Sequence, residues 1–377
     1  MSQSQVLPEG MFTPFSIGSL QLKNRFVMPP MTRGFSPKGV PGQNVVDYYQ
    51  RRAKGGIGLI VTEGTVVGHE GAPGNPDVPD LETPEAVAGW RRVVEAVHAE
   101  GGKIVPQLWH VGAVRRAGVG PVPEAPGYGP MPVVKNGKEV VVGMSKAEIG
   151  KVVDAFARAA AHARECGFDG LELHGAHGYL LDQFFFEKFN RRTDEYGGSL
   201  ENRLRFPLEV IAAVRAAVGD DFPMILRYSQ WKIGAYDDKM CPTPDDLKAF
   251  LTPLSEAGID AFHASTRRHW EPEFDGSPMN LAGWTKKLTG KPVITVGSVG
   301  VDKQFLETYN PAWKGKTGGS EALDTVARLK EPFERSDFDL VAVGRSVIAD
   351  PDWVHKMRDG RYEDIVPFSR AALDTLV

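Results

Sequence analysis

Two histidines and a tyrosine lie close together in Gly170-Leu171-Glu172-Leu173-His174-Gly175-Ala176-His177-Gly178-Tyr179. The interleaved glycines let the backbone turn sharply, so three neutral hydrogen-bond donors can converge on one substrate oxygen and stabilise charge developing there. A second chemistry is open to the same residues. His174 and His177 with a carboxylate such as Glu172 would form a half-site for a divalent metal, as in a lyase or hydrolase. Strand alternation puts Glu172 and His174 on one face at different depths, and no second carboxylate cluster accompanies them. Either chemistry needs a scaffold that presents this stretch at the end of an apolar strand.

The rest of the chain supplies that scaffold by repetition. Arg25 to Met28 reads as a strand stopped by Pro29-Pro30, because proline cannot donate to a sheet. A helix over 44–54 leads to a strand over 58–62, and a helix over 84–100 has Thr83 as its N-cap and Gly101-Gly102 as its stop. The third strand covers 103–108. A Gly/Pro-rich segment, 112–143, is too long for an ordinary connector and reads as a functional loop over the site or a small excursion. Ser145 with Glu148 forms a capping box for a helix reaching Cys166. The histidine stretch is the fourth strand, beginning near Phe168. Helices over 200–218, 244–257 and 281–288 alternate with strands over 224–228, 260–264 and 292–296. Helical material between Lys303 and Leu329, broken over 314–319, precedes the last strand, 339–343. Eight short apolar strands alternating with helices predict a single (β/α)8 barrel with extended loops spanning 1–377, the surplus over the usual ~250 residues sitting in those loops. A doubly wound open sheet is the alternative.

Composition narrows the class of protein. In 377 residues, 42% are hydrophobic and 24% charged, as in an ordinary globular chain, and a net charge of −4 offers no footprint for nucleic acid or an anionic membrane. No run approaches a transmembrane span, and MSQSQVLPEG has no basic start or apolar core, so a cytoplasmic protein is expected. The two cysteines, Cys166 and Cys241, cannot ligate an iron-sulfur cluster or a zinc ribbon and read as free thiols.

In such a barrel the residues after each strand gather on one face. Here they include Thr32, Glu63-Gly64, Gln107, His110, His174, His177, Tyr179, Arg227, Gly297-Ser298 and Gly344-Arg345. The last two turns follow strands seven and eight, where backbone N–H groups often bind phosphate, and Arg345 adds a charge. Arg227, costly to bury alone, must face a carboxylate of the fold or an electron-rich ligand. With Gln107 and the phosphate turns it suits a flavin mononucleotide, FMN.

Met28-Pro29-Pro30-Met31-Thr32-Arg33, Gln107-Leu108-Trp109-His110, His174 to Tyr179, Phe189 to Ser199 and Val343-Gly344-Arg345 together resemble the Old Yellow Enzyme family, in the family's order, from about residue 12 to 355. The resemblance implies an FMN-dependent oxidoreductase that takes electrons from NADH or NADPH and reduces activated alkenes, α,β-unsaturated carbonyl or nitro compounds, in a ping-pong cycle. It places Pro30, Met31 and Thr32 along the flavin, with the Thr32 hydroxyl near O4, and Gly64 and Gln107 against the ring. Arg227 falls near N1 and O2, and Gly297, Ser298, Gly344 and Arg345 around the phosphate. His174 and His177 would hold the substrate oxygen, Tyr179 would donate the proton, and no metal is required. Residues 194–199 would shape the loop after strand four. Oxidative N-demethylation, known within the family, is the alternative reaction, and a non-enzymatic flavin-binding protein is a further one. Two departures stand out: Ala113, where arginine is common, and Ala342, where glycine is common. The 112–143 loop and Arg267-Arg268-His269-Trp270 match no family role, and a homo-oligomer is left open.

Overall fold

A computed structural model describes residues 6–377 apart from 304–306, 309 and 311. Eight parallel strands close into a barrel in sequential order: β1 Phe26–Met28, β2 Leu59–Val66, β3 Lys103–Trp109, β4 Leu171–His177, β5 Met224–Lys232, β6 Ala261–Ser265, β7 Val293–Val296 and β8 Leu340–Ala342. Between and after them run α1 Gln43–Lys54, α2 Pro84–Ala99, α3 Lys146–Glu165, α4 Leu200–Val218, α5 Pro244–Glu256, α6 Leu281–Thr289, α7 Gly319–Ala327 and α8 Trp353–Arg358. The open-sheet alternative is excluded by the β8–β1 pairing of Val341 with Phe26 and Ala342 with Val27. Part of the predicted helical stretch from Lys303 lies outside the described residues.

Local signals explain why the helices start where they do. The side chains of Thr83, Ser199 and Asn280 each accept a first-turn backbone N–H at α2, α4 and α6. Thr243 and Asp246 form the reciprocal capping box at α5. The box predicted at α3 is only half made. Ser145 accepts the Glu148 N–H, but the Glu148 carboxylate turns outward to His69 and Lys151, which compete for it.

The barrel interior is layered along its axis. Inward side chains near the strand starts are apolar, among them Val27, Leu59, Val61, Val105, Ile225, Ala261, Ile294 and Leu340, and the hairpin of Phe15–Ile17 with Leu20–Leu22 closes that end with Ile17, Leu20 and Leu22. Two residues further along several strands the same inward face turns polar. Val105 is followed by Gln107, Ile225 by Arg227 and Ala261 by His263, as alternation requires. A larger apolar cluster fills the space between barrel and helices.

Three strands or loops depart from the predicted outlines, each for a local reason. β2 runs on to Val66 through a register shift between Val61 and Gly64, and β5 runs on to Lys232 through a shift after Tyr228. Such bulges insert an extra residue and re-aim side chains at a barrel rim. The 112–143 segment holds a small three-stranded sheet of Gly127–Gly129, Val133–Lys135 and Lys138–Gly143. Arg115 pins it by donating to the carbonyls of Pro73, Val119, Val122 and Ala125.

Candidate active site

The register of the parallel strands assembles the polar layer. Arg227 on β5 pairs with His174 on β4 and with His263 on β6, while Gln107 on β3 pairs with both Glu172 on β4 and Gly64 on β2. Glu172 is fully buried, and its two oxygens accept from Gln107 Nε2 at 2.8 Å and pair with His263 Nδ1 at 2.7 Å. Both oxygens of this carboxylate are therefore engaged by Gln107 and His263 rather than held toward His174 and His177 as a metal half-site would need. Among the described residues no group of three or more potential ligands is arranged to hold a metal ion.

Arg227 is the layer's incompletely matched charge. Its contacts to the Pro30 carbonyl, 3.5 Å, and Ser265 Oγ, 3.4 Å, are both long, and its buried Nε has no hydrogen-bond partner among the described residues. A buried guanidinium with unspent donors is costly in a finished core and is what an electron-rich ring at the barrel mouth would satisfy. The residues present thus fit a flavin.

Around that position the other predicted contacts are brought close, and their supports become visible. Buried Glu63, within the bulge in β2, accepts the N–H groups of Arg33 at 2.8 Å and Gly34 at 2.9 Å, and so anchors the segment carrying Pro30, Met31 and exposed Thr32. Burial pushes its carboxyl up to about 7 against those same bonds. Gly64 is required by close packing, since a Cβ there would come within 2.5 Å of the Trp109 ring. Gly344 contacts the same segment, a Cβ there lying 3.3 Å from Met31 Sδ.

The two turns expected to hold phosphate are neighbours. Ser346 Oγ donates to the carbonyls of Val299 at 3.1 Å and Gly300 at 3.0 Å, tying the turn after β7 to the start of the short helix Arg345–Ala349 after β8. Gly297 has φ of +150°, and a Cβ there would meet the backbone N of His269 at 2.9 Å, so only glycine permits the approach of the 266–269 loop. Ser298, at φ +56°, donates to the Arg267 carbonyl at 3.0 Å. The Arg345 guanidinium is buried and donates to the Lys303 carbonyl at 2.8 Å and Thr308 Oγ1 at 2.9 Å. Within the unassigned 267–270 segment, His269 is a packing residue, its Nε2 lying 2.8 Å from the Thr325 carbonyl.

On the other side of the mouth an aromatic box surrounds the histidine pair. The His174 ring lies 5.4 Å from His177 and 4.8 Å from Tyr179, edge-on to both, and Trp109 packs 5.1 Å from Tyr179. Trp231, delivered by the bulged end of β5, stacks on His177 at 4.5 Å and donates to the Ser265 carbonyl. His177 Nε2 lies 2.8 Å from Ser265 Oγ, while its backbone N–H bonds Ser229 Oγ at 3.0 Å. That backbone is strained, with φ +65° at a non-glycine residue followed by Gly178 at +84°. Asp182 holds the turn by accepting the Gly178 N–H at 2.7 Å, and its other oxygen pairs with Lys232 Nζ at 2.8 Å, both side chains being fully buried.

Electrostatics fix the protonation states. Burial first, then the Arg227 charge, holds both His174 and His177 well below the usual histidine range, so both are neutral donors near neutral pH. Burial raises the Tyr179 phenol above its ordinary value, although Arg227 and Arg116 oppose it, so the hydroxyl keeps its proton. His110 is set in a directed chain. Its Nδ1 accepts the Gly112 N–H, which leaves Nε2–H for His69 Nδ1 at 2.9 Å, and His69 Nε2–H then reaches Glu148 at 2.9 Å. Its carbonyl holds the N–H of Leu180, next to Tyr179. His177 and Tyr179 line a cavity of about 550 Å³ with Trp109 and, from the 112–143 segment, Ala113, Val114 and Met131.

A parallel barrel with an incompletely matched buried guanidinium at its mouth, neighbouring glycine-bearing turns after β7 and β8, and histidine and tyrosine side chains beside one cavity is the arrangement of a flavin-binding barrel. Residues 10–364 match the model of the NADH:flavin oxidoreductase / NADH oxidase family, and the chain belongs to that family, the Old Yellow Enzymes. It is 36% identical over 369 residues to the NADH oxidase of Thermoanaerobacter brockii, covering 94% of this chain and 52% of that protein. It is likewise 36% identical over 356 residues to 12-oxophytodienoate reductase 2 of Arabidopsis thaliana, covering 91% and 86%. The chain thus spans about half of the first relative and most of the second. A solved structure of morphinone reductase in complex with tetrahydroNAD superposes with a TM-score of 0.75 at 31% identity, covering 94% of this chain and 91% of that one. No helix among the described residues is long and apolar enough to cross a membrane.

Sequence reasoning placed Glu63 at a strand end without giving it a role, and passed over Asp182, Lys232, Ser265, His263 and Trp231 as supports of the site. For His263 and Ser265 the signal was present: polar residues two apart at the end of an apolar strand.

Proposed function

We propose that the protein is an FMN-dependent ene-reductase that uses NADH or NADPH to saturate the activated C=C bond of α,β-unsaturated carbonyl or nitro compounds. When bound, FMN supplies the electron pair, accepted from the nicotinamide and passed on as hydride. Arg227 would face its ring, with Pro30, Met31, Thr32, Gly64 and Gln107 beside it and Gly297, Ser298, Gly344 and Arg345 about its phosphate.

The observation that carries the reading is a neutral imidazole, His177, and a protonated phenol, Tyr179, lining one cavity, with the neutral His174 ring packed against both at 5.4 and 4.8 Å. His174 and His177 donate to the substrate oxygen and stabilise the enolate-like charge that appears there during reduction. Neutrality matters, because the donors must keep their geometry whether or not substrate is bound. Tyr179 then protonates the α-carbon. Trp109 and Trp231 keep the donors packed and the reacting end shielded from water.

Turnover with 2-cyclohexenone tests this. NAD(P)H consumption matched by formation of cyclohexanone is expected, and coenzyme oxidation with the enone recovered unchanged would overturn the assignment.

A further inference from the structure

Glu172 brings a carboxylate into the barrel interior that no step of the proposed reaction uses. It lies two residues before His174 on the same inward face of β4, and His174 is in register with Arg227, so the carboxylate sits one layer below the guanidinium. The side chains of Glu172 and His263 are fully buried, and Gln107 and Arg227 are nearly so. A buried carboxylate is costly even when it is bonded. Both of its partners leave the charge uncancelled. Gln107 offers a neutral amide, and burial keeps His263 below the usual histidine range although Glu172 opposes it, so the imidazole is a neutral donor near neutral pH.

The bonds around Glu172 also fix an orientation. A carboxylate only accepts, so Gln107 must turn its NH2 group to Glu172, which directs Oε1 away from it, and that oxygen makes no hydrogen bond among the described residues. On the other side His263 donates from Nδ1, and its buried Nε2 has no partner among the described residues, so the ring is held to the carboxylate by its one bonded nitrogen. Arg227 forms no ion pair with Glu172 among the described residues, yet the carboxylate is the charge that most favours the guanidinium against its burial. The field of Glu172 thus reaches Arg227 without occupying its donors.

We propose that Glu172 is a positioning residue for the flavin, which sets Gln107 as a hydrogen-bond acceptor toward the ring and, by its charge, partly offsets Arg227 so that the bound flavin is harder to reduce than Arg227 alone would make it. The proposal rests on the flavin-dependent reading and deepens it by naming what lies beneath the ring contacts. A flavin ring carries an N–H donor on its pyrimidine side, which an amide oxygen can accept, and it gains negative charge on reduction. A cation near that edge favours the reduced form, and a buried anion one layer deeper opposes it.

The test is the midpoint potential of the flavin in the holoenzyme, read from its visible spectrum against a reference dye under anaerobic conditions. Glu172→Gln removes the charge and should raise the ratio of reduced to oxidised flavin at a fixed potential by roughly tenfold, about 30 mV for a two-electron couple. Glu172→Asp keeps the charge but is one methylene short of spanning Gln107 and His263. Its potential should stay within about threefold of the wild type by the same measure, while its Kd for FMN, read from the fluorescence released on dilution, should rise by roughly tenfold. A yellow Glu172→Gln protein with an unchanged or lower potential would overturn the proposal and leave the flavin reading standing. So would a Glu172→Asp protein that shifts as far in potential as Glu172→Gln, the mark of a merely structural role, or one that holds FMN as tightly as the wild type. If Glu172→Gln does not fold, the potential and the Kd of Glu172→Asp decide alone. A wild-type protein that retains no FMN would overturn the flavin reading itself, and the tuning with it.

Discussion

In the proposed mechanism Tyr179 acts in the alkene half-reaction alone, and that separates its role from flavin reduction experimentally. Its proton is needed only as the alkene is reduced. Tyr179→Phe should therefore slow enone reduction by about 10²–10⁴-fold, the usual contribution of a positioned general acid, while flavin reduction by NAD(P)H changes by less than about twofold. Stopped-flow measurement of the two half-reactions decides, and equal losses in both would remove the acid role. His174→Ala removes a donor to the developing oxyanion and should cost about 10²–10³ in the alkene step. Because burial keeps both histidines neutral and the phenol protonated, the alkene step of the wild type should be flat from about pH 6 to about pH 9. At this scale the sequence was informative. His174, His177, Tyr179 and Arg227 stand out as polar residues at apolar strand ends, and the structure gathers them at one mouth. It was silent on Asp182 and Lys232, which lie on different elements and meet only through the fold.

Elements position these residues through bulges rather than through regular strand geometry. The shift in β5 delivers Ser229, Trp231 and Lys232 to the turn after β4, where His177 and Gly178 both have positive φ. Asp182, in the short helix Leu180–Phe185, is the brace between them. Asp182→Ala leaves Lys232 buried without its counter-charge and removes the acceptor for Gly178. Breaking a buried pair from one side should destabilise the protein by about 3–5 kcal/mol, read from denaturant unfolding; a loss below about 1 kcal/mol would show that the turn holds itself. The sequence predicted the barrel's element order because alternation and capping are local. It did not predict the bulges of β2 and β5 or the small sheet within 112–143, which depend on partners distant in sequence. The unmade half of the capping box at α3 has the same origin, since His69 draws the Glu148 carboxylate away.

For the molecule as a whole, buried histidines set the direction of acid sensitivity. His110, His174, His177, His263 and His269 all have folded values below the usual histidine value, His269 at about 4, in each case mainly through burial. Below the unfolded value the unfolded chain binds protons that the folded chain refuses, so stability falls as pH drops through about 6.5. Glu63 acts oppositely. Its folded value of about 7 means that its contribution is fully present below the unfolded carboxyl value and is lost as pH rises toward 7. Burial also raises the carboxyls of Asp80, Asp182, Glu209 and Glu273, which act with Glu63 but mainly nearer the ordinary carboxylate range. Between about pH 7 and about pH 5.5 the five histidines therefore set the sign; the unfolding midpoint should fall over that window, and a constant or rising midpoint would contradict the burial of the histidines. The claim that joins all three scales is that a flavin in this barrel passes electrons to an alkene held by His174 and His177. The most direct measurement is the visible spectrum of the purified, FMN-loaded protein through one anaerobic cycle. NAD(P)H should bleach the flavin band and one equivalent of 2-cyclohexenone should restore it. A protein that retains no FMN, or a bleached protein that stays bleached with the enone, would contradict the account.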